Sequence, residues 1–347
     1  FSERNGSTMS SDDQPASNSS HPYDDLTPDI LLDAVENEGF PVSGRLFALN
    51  SYENRVYQVG LDDRPPVIVK FYRPGRWTEA QIREEHDFTV QLEEADVPVV
   101  APMKLASGDT LGRGGDFLFA VFPQRGGQAP DTSTPDTLYR LGQWLGQLHN
   151  IGASEPFQHR PAMSILPAIT DFSAYLTDND WVPQDLRPAW DSLIPDLIDG
   201  CARLLDKAGE LTNLRLHGDC HAGNILVRED QLLFVDLDDC RAGPAIQDLW
   251  LLLNGDDQER SAQFGELLEG YEMFRDFNRR ERYLIEPLRC FRQLSHCAWL
   301  AQRWDDPAFP RFFPWFAQPR FWSDQILSLR EQLAALQGPV LNIPGQY

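Results

Sequence analysis

The chain has 347 residues, 41% of them hydrophobic, and 53 Asp and Glu against 30 Lys and Arg give a net charge of −23. That length suits two lobes better than one core, and the acidic balance excludes nucleic acid as a direct partner, because phosphate backbones are held by clustered cations. No apolar run reaches membrane-spanning length, no charged-then-apolar leader opens the chain, and five irregularly spaced cysteines suit a reducing compartment, so a cytoplasmic protein is predicted.

Residues 1–24 are rich in Ser, Asn, Asp and Gly and are expected to be a disordered tail. Phe1 is no initiator; Met9 is read as the start, with residues 1–8 extraneous. Thr27-Pro28-Asp29 reads as an N-cap with Pro at N1, opening a helix that stops near Gly39. Arg45–Leu49, Val56–Val59 and Val67–Tyr72 read as strands of an antiparallel meander, separated by turn residues such as Asp62-Asp63-Arg64-Pro65. A helix over Thr78–Ala95 follows, then strands near Val99–Leu105 and Phe117–Phe122. Residues 25–123 thus form a small β lobe with one main helix, and 124–130 a Gly-rich hinge.

Beyond the hinge, residues 131–347 are mainly helical in period: Thr137–Asn150, Ile165–Thr177, Pro188–Ala208, Ile246–Leu253, Ala262–Phe274, Arg279–Trp304 and Phe321–Leu336. The predicted class is α+β, a bilobal, protein kinase-like fold. An aromatic cluster from Trp299 to Trp322 is read first as core of the last helices and second as a groove for a cationic or peptide substrate.

Amid these helices lies Leu216-His217-Gly218-Asp219-Cys220-His221-Ala222-Gly223-Asn224-Ile225-Leu226-Val227, then an apolar run ending on Asp236. Asp219, Asn224 and Asp236 offer oxygen ligands of the kind Mg²⁺ prefers. The spacing from Asp219 to Asn224 matches the H-R-D-x-x-x-x-N catalytic loop of kinases, with Gly218 in place of the Arg. His217, Cys220 and His221 as zinc ligands is the weaker alternative, since neither C-x-x-C nor H-x-x-x-H accompanies them. In a phosphoryl-transfer centre, Asp219 orients or deprotonates the attacking hydroxyl while Asn224 and Asp236 chelate the metal. Asp238 is a candidate helper for a second metal, Asp239 a solvated turn acid, and Asp248 an acceptor for the catalytic-loop backbone.

Lys70 stands in the apolar strand Val67-Ile68-Val69-Lys70, where a charge is costly unless paired. It is predicted to hold the nucleotide phosphates, positioned by Glu85, which shares a helix face with Ile82 and Leu92; Glu84 projects to the flank. The loop Asn50–Arg55 has no P-loop signature, but backbone N–H groups from Ser51 to Asn54 are placed over the phosphates. Ser51, Asn54 and Phe122 complete the predicted nucleotide contacts.

With Lys70, Glu85, the His217-Gly218-Asp219-x-His221-x-x-Asn224 run and Asp236 in order, the chain resembles the aminoglycoside/choline kinase-like superfamily. Within it the likeness is to bacterial stress-response kinases, through Ser51-Tyr52-Glu53-Asn54-Arg55, Lys70-Phe71-Tyr72-Arg73-Pro74, Phe234–Asp239 and Asp306-Pro307-Ala308-Phe309-Pro310. The resemblance spans roughly residues 25–347. It implies a cytoplasmic, autophosphorylating serine/threonine protein kinase using ATP and Mg²⁺. Asp219 is then the proton acceptor, Asn224 and Asp236 hold the metal, and Lys70 with Glu85 holds ATP. Protein substrates bearing Ser or Thr are the expected partners of a monomeric enzyme. The rival is a kinase of small hydroxyl compounds such as choline, homoserine or aminoglycosides. Only eleven residues separate Asp236 from Asp248, which leaves no room for a long activation segment.

Overall fold

The structure, a computed structural model, describes residues 22–343. The disordered-tail expectation therefore lies mostly outside the described residues, and its last part is corrected. Tyr23 is buried, its hydroxyl donates to the Glu53 carbonyl at 3.0 Å, and its ring stacks on Phe117.

The described part of the chain opens with helix α1 (Pro28–Asn37), capped by Thr27, whose hydroxyl accepts from the Ile30 N–H. Strands β1 (Val42–Ala48), β2 (Arg55–Leu61) and β3 (Val67–Phe71) follow, then helix α2 (Glu79–Glu94) and strands β4 (Gly112–Gly114) and β5 (Phe117–Pro123). They form an antiparallel five-stranded sheet in the order β1-β2-β3-β5-β4. Strand alternation divides β3 cleanly. Val67, Val69 and Phe71 pack in one core with Leu31, Ala34 and Val35 of α1, whereas Ile68 and Lys70 face the cleft.

Thr78 and Gln81 form a reciprocal capping box that starts α2. Ile82 of α2 packs beneath the sheet, while Phe88 and Leu92 belong to the core of the helical lobe. One helix therefore carries residues of both lobes. The strand expected over Val99–Leu105 reduces to a parallel bridge between Val99 and Phe234 and to single hydrogen bonds such as Met103 N–H to the Val121 carbonyl. The hinge is tied as well: Gln128 pairs with Val227 through two backbone hydrogen bonds.

The helical lobe runs α3 (Pro135–Gly152), α4 (Ile165–Asp178), α5 (Arg187–Ala208), β6 (Leu214–Leu216), the hairpin β7 (Ile225–Arg228) and β8 (Gln231–Phe234), β9 (Arg241–Gly243), α6 (Asp257–Tyr271), α7 (Ile285–Gln302), α8 (Ala308–Phe312) and α9 (Pro319–Gln337). The helix expected over Ile246–Leu253 is corrected: this stretch follows Pro244 as two short 3₁₀ segments, Ala245–Asp248 and Trp250–Leu252. Arg279–Leu284 is likewise a 3₁₀ segment, and α7 begins only at Ile285. Trp190, Phe264, Phe316 and Trp322 fill the core of this lobe. Among the described residues no helix is long and apolar enough to cross a membrane.

Candidate active site

Two connected cavities lie between the lobes. The first, about 280 Å³, has Val56, Ile68 and Phe122 from the sheet on one side and Leu226 and Val235 from the hairpin on the other. This apolar slot suits a flat ring, and Lys70 and Asp236 stand in its lining. The second cavity, about 810 Å³, shares Ser51 and Asp236 with the first, takes in Asp219 and continues along α7. Ser51 therefore lines both cavities and Phe122 the first.

The β7–β8 register explains how distant residues meet. Ile225 pairs with Phe234, and the Val235 N–H donates to the Asn224 carbonyl at 3.0 Å. Asn224 and Asp236 consequently flank the open end of one hairpin. Asp236 itself adopts φ 60°, ψ 65°, a left-handed conformation that is strained for a non-glycine residue and recurs at functional sites. This turn ends the strand and leaves the Asp236 side chain half exposed toward the cleft.

Lys70 Nζ donates to Asp236 Oδ1 at 2.6 Å. Burial favours the neutral amine, but the carboxylates of Asp236, Asp238 and Glu85 outweigh it and hold the ammonium above its ordinary pKa. The ammonium also lies 5.6 Å from the Phe122 ring centroid. The expected Lys70–Glu85 pair is corrected: Glu85 pairs with Arg160 Nη2 at 2.7 Å. Burial pushes the Glu85 carboxyl up to about 7, against the pull of Lys70 and Arg160. Arg160 further donates to the carbonyls of Asp238, Cys240 and Gln81. Glu85 thus acts on the lysine through space while clamping α2 to the loop before α4. Glu84, on the flank as expected, accepts the backbone N–H groups of Gln158, His159 and Arg160.

The loop from His217 to Asn224 is built on Asp248. This fully buried carboxylate accepts from the His217 N–H at 2.8 Å and the Gly218 N–H at 2.9 Å, and meets His149 Nε2 at 3.1 Å. The Gly218 carbonyl accepts from Gln247 Nε2, and the His217 ring bonds the Val235 carbonyl at 2.9 Å. Gly218 has φ +89°, and an added Cβ would stand 2.2 Å from the Asp239 carbonyl oxygen. No side chain, least of all an arginine, fits there.

Asp219 reaches the groove with both oxygens engaged. Arg292 Nη1 of α7 donates to Oδ1 at 2.8 Å, and His221 Nε2 lies 3.4 Å from Oδ2. The Gly223 N–H donates to His221 Nδ1, so in the neutral ring the proton sits on Nε2, facing the carboxylate. Burial works to raise the Asp219 pKa, but His221 and Arg292 prevail and hold it far below the usual carboxylate range. Asn224 Nδ2 donates to the Asp219 backbone carbonyl at 3.0 Å, which leaves its Oδ1 as a ligand oxygen.

Two further expectations are corrected. Asp238 is no metal helper: it is buried, paired with Arg76 and bonded by Asn54 Nδ2 at 3.1 Å. Asp239 is not merely solvated, for Arg76 and Arg241 both bond it. The Asn54 side chain, held by Asp238 and by the Arg73 N–H, supports the loop whose backbone N–H groups are the expected phosphate contacts. Arg76, Arg160 and Arg292 escaped the sequence reading because no motif or periodicity singles them out.

The aromatic cluster is mainly core. Phe309, Phe316 and Trp322 are buried, and the Trp299 indole N–H donates to Glu53 at 2.5 Å. Glu53 also receives Arg303 at 3.0 Å, and Arg73 meets Asp306 at 2.7 Å, so the loop after β1 is riveted to the helical lobe.

A family described as "Phosphotransferase enzyme family" matches residues 46–285. Stress response kinase A of Escherichia coli (strain K12) is 44% identical over 330 residues, covering 95% of this chain and 99% of that protein. The serine/threonine protein kinase RdoA of Salmonella typhimurium (strain LT2) is 42% identical over 329 residues, covering 94% and 98%. Among solved structures, an amicoumacin kinase in complex with AMP-PNP and Ca²⁺ superposes with a TM-score of 0.70 at 16% identity, covering 91% of this chain and 95% of that one. A microcompartment-associated aminopropanol kinase superposes at 0.67 with 18% identity, covering 90% and 97%. These two likenesses bear on fold.

Proposed function

The chain belongs to the phosphotransferase enzyme family, an ATP-dependent kinase by kinship, and from that premise we propose that it phosphorylates serine and threonine hydroxyls of proteins. The observation that carries this reading is 42% identity over 94% of the chain to a relative named a serine/threonine protein kinase. The long groove beside Asp219 supports it, being large enough for a peptide segment.

In this reading the adenine ring enters the slot between Ile68, Phe122, Leu226 and Val235, and Lys70 takes the phosphates. Asp236 and Asn224 Oδ1 form a hard oxygen donor set that fits Mg²⁺, which when bound offsets phosphate charge. Asp219 receives the acceptor hydroxyl from the groove side. The oxygen attacks the γ-phosphorus, the bond to the β-phosphate oxygen breaks to release ADP, and the hydroxyl proton passes to Asp219 or on to water. Because the Asp219 pKa is held low, its main contribution is orientation; phosphoryl transfer is loose and demands little early proton abstraction.

The site is assembled without an activation loop. Between Asp236 and Asp248 the chain makes a 3₁₀ turn, strand β9 paired with β6, and a second 3₁₀ segment. Five buried, unpaired cysteines support a reducing cytoplasmic setting. The test is radiolabelled ATP with protein substrates set against a panel of amino alcohols and aminoglycosides. Label in protein Ser or Thr is expected; label confined to a small alcohol overturns the protein-acceptor reading.

A further inference from the structure

The charges along the acceptor groove divide by wall. Its carboxylates all come from the catalytic side, and each has a cationic partner. Glu53 has Arg303, Asp236 has Lys70, Asp238 has Arg76, Asp239 has Arg76 and Arg241, and Asp219 has Arg292. The opposite wall, supplied by α7 with Trp250 and Gln325, carries Arg289, Arg292 and His296 and no carboxylate. In a chain of net charge −23 a wall without acids runs against composition. Arg289 and Arg292 are one helical turn apart and project to the same side of α7. Arg292 keeps a half-exposed side chain even while bonded to Asp219, and Arg289, 5.8 Å from the Trp250 ring centroid, meets Glu286 at a long 3.8 Å.

We propose, resting on the protein-acceptor reading above, that this enzyme selects Ser or Thr in an acidic sequence context. A carboxylate one to three residues from the acceptor hydroxyl is received by Arg289 and Arg292. The geometry adds a second consequence. Arg292 is the residue that occupies Asp219 Oδ1. An acceptor that draws the guanidinium to its own carboxylate uncovers that oxygen for the incoming hydroxyl. An acceptor with basic flanks meets two like charges and leaves Arg292 on Asp219. Arg292 is thus a specificity-determining residue whose alternative partner is the catalytic carboxylate.

The test compares otherwise identical Ser and Thr peptides flanked by Asp/Glu, by Ala or by Lys/Arg, using full-length enzyme and saturating ATP. The acidic series is expected to show at least about tenfold higher kcat/KM than the basic series, the equivalent of one favourable charge contact, and the advantage should shrink as salt is raised. Arg289→Glu should invert the ranking through the peptide KM, leaving the KM for ATP unchanged. Arg292→Gln should flatten the ranking. Equal use of the three series by the wild type, or preference for the basic one, overturns the proposal, and that comparison needs no variant to fold. If no peptide is labelled while small alcohols are, the protein-acceptor reading has failed and this inference falls with it, a result distinct from peptide labelling without acidic preference.

Discussion

Lys70 in the sheet and Asp236 beyond the hairpin, 166 positions apart in sequence, meet at 2.6 Å across the cleft. The strand supplies a cation that burial alone would neutralise, and the left-handed turn supplies the anion that keeps it charged. Replacing Lys70 by Ala should cost about 2–4 kcal/mol of transition-state stabilisation, the usual loss for a preorganised electrostatic donor. Steady-state kcat/KM for ATP is the measurement, and an unchanged value would remove Lys70 from the nucleotide site.

Asp219→Asn keeps the shape of the side chain but removes its charge. Turnover should fall by about 10²–10⁴-fold, in line with loss of a positioned acid–base group, with nucleotide affinity nearly unchanged. Calorimetric titration of a nonhydrolysable ATP analogue together with single-turnover kinetics separates the two. Wild-type turnover in this variant would refute the role.

Gly218→Ala places a methyl group against the Asp239 carbonyl and forces φ +89° on an L side chain. The backbone cost alone is about 1–3 kcal/mol, so the variant should melt several degrees lower and lose activity disproportionately, because Asp219 follows directly. Differential scanning calorimetry beside an activity assay decides. A variant as stable and active as the parent would show that the loop has room.

Glu281 predicts a pH dependence of stability. Its carboxyl accepts the Ile246 N–H at 2.9 Å, beside the 3₁₀ segment that ends on Asp248, and burial pushes it up to about 7. The folded state therefore holds a proton that the unfolded chain releases near its ordinary value. The associated stability is complete below the unfolded pKa and is lost as pH rises through about 7, a decline of order 3 kcal/mol. Urea denaturation of wild type and Glu281→Gln at pH 5 and pH 8 tests this. The variant should flatten the decline, and an identical slope in both would exclude Glu281 as its source.

Much of this arrangement is legible in the sequence. Asp219, Asn224 and Asp236 announce their chemistry by spacing, and Asp248 by being charged beside an apolar run. The failures have physical causes. Strand alternation aims Asp238 with Asp236, but the positive φ of Asp236 ends that alternation before Asp238. The run Leu249–Leu253 has helical composition, but it folds as short 3₁₀ pieces around the buried Asp248 anchor. The partner of Glu85 lies 75 residues away in a loop without periodicity, so only tertiary structure reveals Arg160. Arg292 is invisible for the same reason: its partner is set by how α7 crosses the cleft.

The rivets described above, Arg73 on Asp306 and Arg160 on Glu85, both buried, and Arg303 on Glu53, partly buried, join residues on opposite sides of the cleft. Prising such contacts apart in every turnover would expose several uncompensated charges at once. Widening the cleft would therefore mean breaking these pairs together, and the loop that carries Ser51, held at Glu53, is tied to the helical half by the same contacts.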